Sequence, residues 1–336
     1  MRTVGRQHAR TATPSMDIPR RFLCVAYRRI RWQADDLAVR KIAAAARLGG
    51  LTLLTALAGG AATSLPGGVA VAASAGAASV SANWAGYVAT PSAMVGSRFS
   101  SVSGSWTVPA VTCAAGRETH SAAWVGLGGD SESARALEQV GTDADCSRAG
   151  ASAYAAWYEL IPAGPIDLPL GLHTGDRMSA SVTVRSHDVT LRIRDLSTGA
   201  RFGITRHVSN VDVSSAEWIV EAPSVCVAAD ACATLALADF GSVSFSSATA
   251  TAAGHTGAIA DPGWAATALE LRQGAGQDFG HGPGRRFGRP SALVSAAPSQ
   301  PSGSLGAFSV SWQEQSIQFE PPRAPVMPGF SGGAPT

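Results

Sequence analysis

The sequence predicts an all-β fold, an antiparallel sandwich of two sheets. Three observations carry that prediction. Short runs rich in Val, Ser, Thr, Trp and Phe recur along the chain, whereas long amphipathic helical patterns are scarce. Several of these runs alternate apolar and polar residues with period two, which gives one buried and one wet face. Turn-forming clusters such as Ser186-His187-Asp188, Ser197-Thr198-Gly199 and Thr174-Gly175-Asp176 separate them.

In chain order, strands are expected at 98–108, 121–127, 153–160, 178–184, 189–195, 201–206, 216–221, 235–239, 242–248, 266–271 and 307–312. In 178–184 the hydroxyls Ser179, Ser181 and Thr183 occupy odd positions between apolar neighbours. In 189–194 the apolar side is odd (Val189, Leu191, Ile193) and the polar side even. Residues 190–195 and 201–206, joined by 196–200, read as a hairpin. The stretch 273–289 is Gly/Arg-rich and too long for an ordinary hairpin loop, and 297–306 continues in Pro, Ser and Gly. Roughly 240 residues suffice for a two-sheet sandwich as one domain.

Charge divides the chain. The formal total is +2, from 26 basic and 24 acidic side chains. The first 47 residues hold 11 of the basic and 3 of the acidic residues, which leaves 15 and 21, a net of −6, for the remainder. Lys41 is the single lysine, so the remainder has none. A basic stretch, the apolar residues 48–58 and then small residues ending in Ala70-Val71-Ala72 form the pattern of a secretory signal. Residues 1–75 are therefore expected to be an export segment cleaved near Ala72–Ala75, residues 76–318 the β-sandwich domain, and 319–336 a Pro/Gly-rich disordered tail. The apolar run is too short and glycine-rich for a comfortable membrane span.

A charged fraction of 15 % with 46 % hydrophobic residues excludes a disordered polyelectrolyte, and no basic face for nucleic acid is present. No apolar run of about 18 residues follows residue 75, so the mature form is not expected to span a membrane. After Cys24 in the export segment, Cys113, Cys146, Cys226 and Cys232 remain, an even number suited to an oxidising compartment. Three pairings are open. The six-residue spacing of Cys226 and Cys232 suits a small loop staple, which would leave Cys113 with Cys146. Zinc-type CxxC spacing is missing, and no metal site is expected.

The familiar nucleophile constellations are missing. GxSxG matches once, at Gly329-Phe330-Ser331-Gly332-Gly333, inside the Pro/Gly-rich tail and without the strand–turn–helix setting an elbow needs. The histidines sit in no metal or triad motif and read as surface residues, and no Asp-Thr/Ser-Gly triplet occurs. What stands out is the recurrence of tryptophan near carboxyls. The blocks are Ser81-Ala82-Asn83-Trp84-Ala85-Gly86-Tyr87, Gly104-Ser105-Trp106-Thr107-Val108-Pro109, Trp124-Val125-Gly126-Leu127-Gly128-Gly129-Asp130, Leu137-Glu138-Gln139-Val140-Gly141-Thr142-Asp143, Trp157-Tyr158-Glu159 and Ala216-Glu217-Trp218-Ile219-Val220-Glu221. On a strand, Trp218 and Val220 share one face, and Ile219 and Glu221 the other. A carboxyl beside Ile is partly desolvated, which raises its pKa and fits it for acid/base work.

In this order and spacing the blocks resemble the glutamic peptidases, the eqolisin family (peptidase family G1), including its bacterial secreted members. The resemblance runs from about residue 79 to 312, nearly all of the expected exported chain. It implies a lectin-like (concanavalin-like) β-sandwich whose active site lies on the concave face of one sheet. It also implies a catalytic glutamine and glutamate, here Gln139 and Glu221. Glu217, the first glutamate of its block, is not catalytic by this match and reads as a surface or hydrogen-bonding side chain. Trp84, Trp124, Asp130, Asp143 and Glu159 match residues that bind substrate or support the pair. The earlier aspartate of the block ending at Asp130 is Gly128 here, a departure that removes a carboxylate.

The implied activity is a secreted, monomeric, acid-acting endopeptidase for protein or peptide substrates, with direct water attack and no metal or other cofactor. Glu221 would serve as base and then acid, and Gln139 would hold the water and stabilise the oxyanion without adding charge. Grouped carboxyls of this kind predict a loss of stability or activity as pH rises. Two other readings use the same blocks. One is a lectin-like carbohydrate-binding module with aromatics stacked on sugar rings. The other is a glycosidase using Glu159 and Glu221, which would need no glutamine.

Overall fold

A computed structural model describes residues 78–91, 98–131, 134–228, 231–273 and 293–314. The expected export segment, most of the Gly/Arg-rich stretch and the tail with its Gly329–Gly333 match lie outside the described residues. In chain order the strands are β1 (Ser79–Ser81), β2 (Trp84–Pro91), β3 (Phe99–Thr107), β4 (Ala122–Leu127), β5 (Glu138–Cys146), β6 (Ser152–Leu160), β7 (Ile166–Leu168), β8 (Arg177–Arg185) and β9 (Asp188–Asp195). They continue with β10 (Arg201–His207), β11 (Ala216–Glu221), β12 (Ser224–Ala228), β13 (Ala231–Thr234), β14 (Ser242–Ala252), β15 (His255–Ala258), β16 (Trp264–Gln273), β17 (Leu293–Pro298) and β18 (Phe308–Trp312). The fold is all-β: no helix occurs among the described residues.

Two layers face each other. The first has the order β16-β2-β11-β4-β5-β6-β7, antiparallel throughout, with β1 added in parallel to β16. The second has the order β10-β9-β8-β3-β14. β17 and β18 join β16 to β14, so the hydrogen-bonded ladder passes from one layer into the other. β12 and β13 form a separate hairpin.

The core lies between the layers because each layer turns one side-chain parity inward. In β8 and β9 the even and odd apolar positions respectively are buried, from Met178 to Val184 and from Val189 to Ile193, as the alternation predicts. The expected hairpin at 190–206 is β9–β10. Tyr87, Val125, Val140, Tyr158, Trp218 and Val220 supply the first layer's inward face. Two buried indoles reach across. Trp218 Nε1 donates to the Ser103 carbonyl at 2.8 Å, and Trp106 Nε1 donates to Thr142 Oγ1 at 2.9 Å. A buried N–H left unpaired would cost about 1–3 kcal/mol, so these bonds fix the register of the layers as well as filling space. Disulfides join Cys113 to Cys146 and Cys226 to Cys232.

Some expectations fail for physical reasons. Residues 235–239 form no strand, only isolated bridges from Leu237 to His120 and from Asp239 to Thr112. The Gln273 side-chain amide takes the ladder's place there, with Nε2 donating to the Leu235 carbonyl at 2.7 Å and Oε1 accepting from Leu237 N at 3.3 Å. Part of 297–306, expected to be irregular, belongs to β17. β14 continues to Ala252 through a bulge near Ser247, whose φ is +50°. His120, expected at the surface with the other histidines, is buried, with Nδ1 3.2 Å from Asp145 Oδ2.

Candidate active site

The site is built on the first layer's other face, the side-chain parity turned away from the core. Trp84 and Val88 of β2, Ala122 and Trp124 of β4, Trp157 of β6 and Ile219 of β11 form a second apolar cluster there. Trp84 and Trp124 meet edge to face, with ring centroids 5.0 Å apart. Glycines make room for the rings. A side chain at Gly126 would begin 2.9 Å from the Trp124 ring, and one at Gly141 would begin 2.5 Å from Trp124 Cβ. Gly86, at φ +142°, lies so close to β11 that a Cβ there would overlap the Trp218 carbonyl oxygen.

Glu221 closes β11 on this face beside Ile219, as its strand parity requires. Its carboxylate accepts Asn83 Nδ2 at 3.1 Å on Oε1 and Trp124 Nε1 at 2.9 Å on Oε2. Ser81 Oγ donates to Asn83 Oδ1 at 3.2 Å, which turns the Asn83 amide hydrogens toward Glu221. Glu221 is 9 % exposed, so its carboxylate is reachable yet mostly removed from water.

Gln139 lies on the same face, but in another row. Glu221 is level with Trp84, Ala122 and Asp143, whereas Gln139 is level with Gly126, Glu217 and Glu159. The Trp124 ring spans the rows, bonded to Glu221 at its nitrogen and lying over Gly126 beside Gln139 at its far edge. Gln139 Nε2 donates to Glu159 Oε2 at 2.6 Å. Burial pushes the Glu159 carboxyl up to about 8, with the charge of Glu221 adding and the Gln139 bond opposing. Asp143 accepts Trp157 Nε1 at 2.6 Å. Its pKa is held well above the usual range by burial first, then by Asp145, Asp167 and Glu221.

A second acidic group stands at the other end of β11. Glu217 is fully buried there, which corrects its expected surface place; neither carboxyl oxygen has a hydrogen-bond partner of good geometry. Burial and the charges of Asp130, Asp212 and Glu138 push it far up, against the pull of the nearby Ser215. Glu138 is raised to about 8, chiefly by burial. Asp130 thus sits with this group, near Glu217, and not beside Glu221. Gly128, where the carboxylate was missed, has φ +85°, and a Cβ there would lie 2.4 Å from Asp212 Cβ. Asp212 fills that space, accepting Gly129 N at 3.1 Å on Oδ2.

Among the residues expected to bind substrate, Trp84 and Trp124 present no exposed ring. Trp124 instead carries Glu221, and Trp84 packs against it. Asp143 and Glu159 are half-buried.

These strands, blocks and carboxyls match a described family. A model of the Peptidase A4 family fits residues 82–276. This chain belongs to the Peptidase A4 family. Aspergillopepsin-2 from Aspergillus niger is 31 % identical over 218 residues, covering 57 % of this chain and 71 % of that one. Scytalido-glutamic peptidase, solved with a transition-state-analogue inhibitor, shares the fold at TM-score 0.54 and 24 % identity, over 69 % of this chain and 98 % of its own. SCP-B, a member of the eqolisin family of peptidases solved with the tripeptide Ala-Ile-His, does so at TM-score 0.51 and 22 % identity, with the same coverages of 69 % and 98 %. As a Peptidase A4 member the chain is a glutamic endopeptidase, a hydrolase of peptide bonds.

Sequence reasoning on this Peptidase A4 chain assigned no role to Asn83, Trp157 or Asp212. The first two stand inside quoted blocks, next to Trp84 and Tyr158, so the signal was present but unread. Asp212 lies outside every block, and only the empty position at Gly128 pointed to it.

Proposed function

We propose that this peptidase cleaves with Glu221 and Gln139. The carrying observation is the setting of Glu221: a nearly buried carboxylate on an apolar face, held by the Asn83 and Trp124 N–H donors. Donors to the charged form oppose desolvation and favour the ionised carboxylate, the state that a base requires. It takes a proton from a water molecule, whose oxygen bonds to the peptide carbonyl carbon. The Gln139 amide donates to the developing oxyanion. Collapse breaks the C–N bond as Glu221 returns the proton to the leaving nitrogen, which yields an acid and an amine without an acyl-enzyme.

Asp143 and Glu159 stand around the pair, and the substrate is an unfolded protein or peptide chain. The sugar-binding alternative loses its main support, because Trp84, Trp124 and Trp157 have their rings buried and offer no stacking platform. Export through residues 1–75, with a mature domain from 76 to 318, is part of the same proposal. The two disulfides fit an oxidising compartment.

The test uses denatured casein or haemoglobin at about pH 3–4 and about pH 7. Wild type is expected to cleave in acid. Glu221→Gln is expected to lose about 10³-fold or more in kcat with its fold retained. Acid proteolysis that survives in Glu221→Gln defeats the assignment.

A further inference from the structure

We propose that Glu159 is a positioning residue for Gln139, and that its protonation decides which end of the Gln139 amide faces the reacting peptide. The inference rests on the reading of Gln139 and Glu221 as the catalytic pair and adds a control to it.

The starting observation is an imbalance. Gln139 Nε2 donates to Glu159 Oε2 at 2.6 Å, while Gln139 Oε1 is buried without a hydrogen-bond partner. In that arrangement one of the two Nε2 hydrogens is committed to Glu159, and Oε1, turned away from it, is a buried acceptor without a donor. An unpaired buried acceptor is costly, and it offers a developing oxyanion nothing. A carboxyl and a primary amide can also pair in the opposite sense. A protonated Glu159 donates its O–H to Gln139 Oε1, and both Nε2 hydrogens are then free for the substrate. The exchange needs half a turn of the terminal amide torsion, a soft motion that moves no backbone.

The surroundings favour the protonated form in acid. On the first layer's site face, Glu159 of β6 is level with Gln139 of β5. The titratable groups sharing that face are Glu221 and Glu217 on β11, Asp143 and Asp145 on β5 and Asp167 on β7, all of them acidic, with His120 packed against Asp145. Burial and Glu221 both favour a neutral Glu159, and no cation among the described residues opposes them. Glu159 therefore keeps its proton in acid and gives it up toward about pH 8, and while it is protonated the amide is turned to donate.

Kinetics on a peptide substrate test this, with rates corrected for the folded fraction at each pH by circular dichroism. Glu159→Gln cannot titrate and can pair with Gln139 in either sense. It is expected to lose at most about tenfold in kcat at acid pH, and the fall of kcat toward neutral pH should flatten by about tenfold or more. Glu159→Leu removes the partner and should lower kcat by about 10²-fold at all pH values with KM within about twofold. A second measurement does not depend on turnover. In the Glu221→Gln background the Gln139 side-chain amide resonances should move with pH, and the movement should vanish when Glu159→Gln is added. An unchanged pH profile in Glu159→Gln overturns the proposal. So does a defect of Glu159→Leu confined to KM, or a Gln139 amide that does not titrate. Because Glu221→Gln is assayed alongside, failure of the catalytic pair itself shows up separately, as activity surviving in that variant.

Discussion

Two N–H groups, one from Asn83 in the bend between β1 and β2 and one from Trp124 on β4, grip one carboxylate at Glu221, and each is worth testing alone. Asn83→Ala or Trp124→Phe deletes a bond to a charged acceptor, worth about 1.5–3 kcal/mol. The charged form of Glu221 loses that support, so its pKa should rise by roughly one to two pH units. The acid limb of the kcat/KM profile should move to higher pH by the same amount in either variant. If that limb stays in place in both, the two donors do not hold the ionised base. At this scale Glu221 was legible, because strand parity alone set it beside Ile219 and opposite Trp218. Asn83 was not, since nothing in a linear sequence says that an amide 138 positions away will meet that carboxylate.

Strands β8, β9 and β5 show why some elements could be read and others not. β8 and β9 alternate cleanly because their outer face meets water. In β5 both faces are covered, and the sequence Glu138-Gln139-Val140-Gly141-Thr142-Asp143 places polar side chains where an ordinary strand would place apolar ones. The pattern that betrays a strand was given up to furnish a site, so the element carrying Gln139 escaped prediction while the Gln139 block itself was recognised. β5 and its neighbour β4 also make a sharp prediction about packing. Gly141→Ala would set a methyl group 2.5 Å from Trp124 Cβ and 2.6 Å from the Ala123 carbonyl oxygen, neither of which can move without its strand. It should cost about 1–3 kcal/mol in urea unfolding and lower kcat through the displaced Trp124. Gly171→Ala, which meets nothing within 4 Å, should do neither. Equal stability of the two variants would mean that Trp124 is not clamped as described.

At the scale of the whole molecule, four carboxyls are withdrawn from water without an ion-pair partner among the described residues. Glu138 and Glu159 are raised to about 8, and Asp143 and Glu217 are raised as well, burial being the first cause in all four. Between an unfolded value near 4.5 and the folded value, the native state holds protons that the unfolded chain has released. Stability therefore falls as pH rises through that window, by about 1.4 kcal/mol for each tenfold difference in proton affinity between the folded and unfolded states of a fully buried group. His120 acts in the same direction. Burial lowers its pKa but the Asp145 bond and charge outweigh that, so its stabilisation is present in acid and is lost as pH rises through the folded value. Thermal unfolding at about pH 4, 6 and 8 should give a falling Tm, and Glu138→Gln with Glu217→Gln should flatten the fall. A Tm that holds or climbs across this range contradicts the account. The net charge of −6 and the missing lysines of the main body anticipated the direction, but only the fold shows which carboxyls are deep enough to matter.

Gly128 changes how such a site is compared with its relatives. Its missing side chain left a volume, and Asp212 occupies it from a different segment, so the two positions exclude each other. A carboxylate at this point belongs to a volume and not to a place in the chain. The sequence therefore shows a lost carboxyl at position 128 where the folded molecule holds one supplied from another segment. Transplanting an aspartate into position 128 would bring two tenants to one room, unless residue 212 were vacated in the same step.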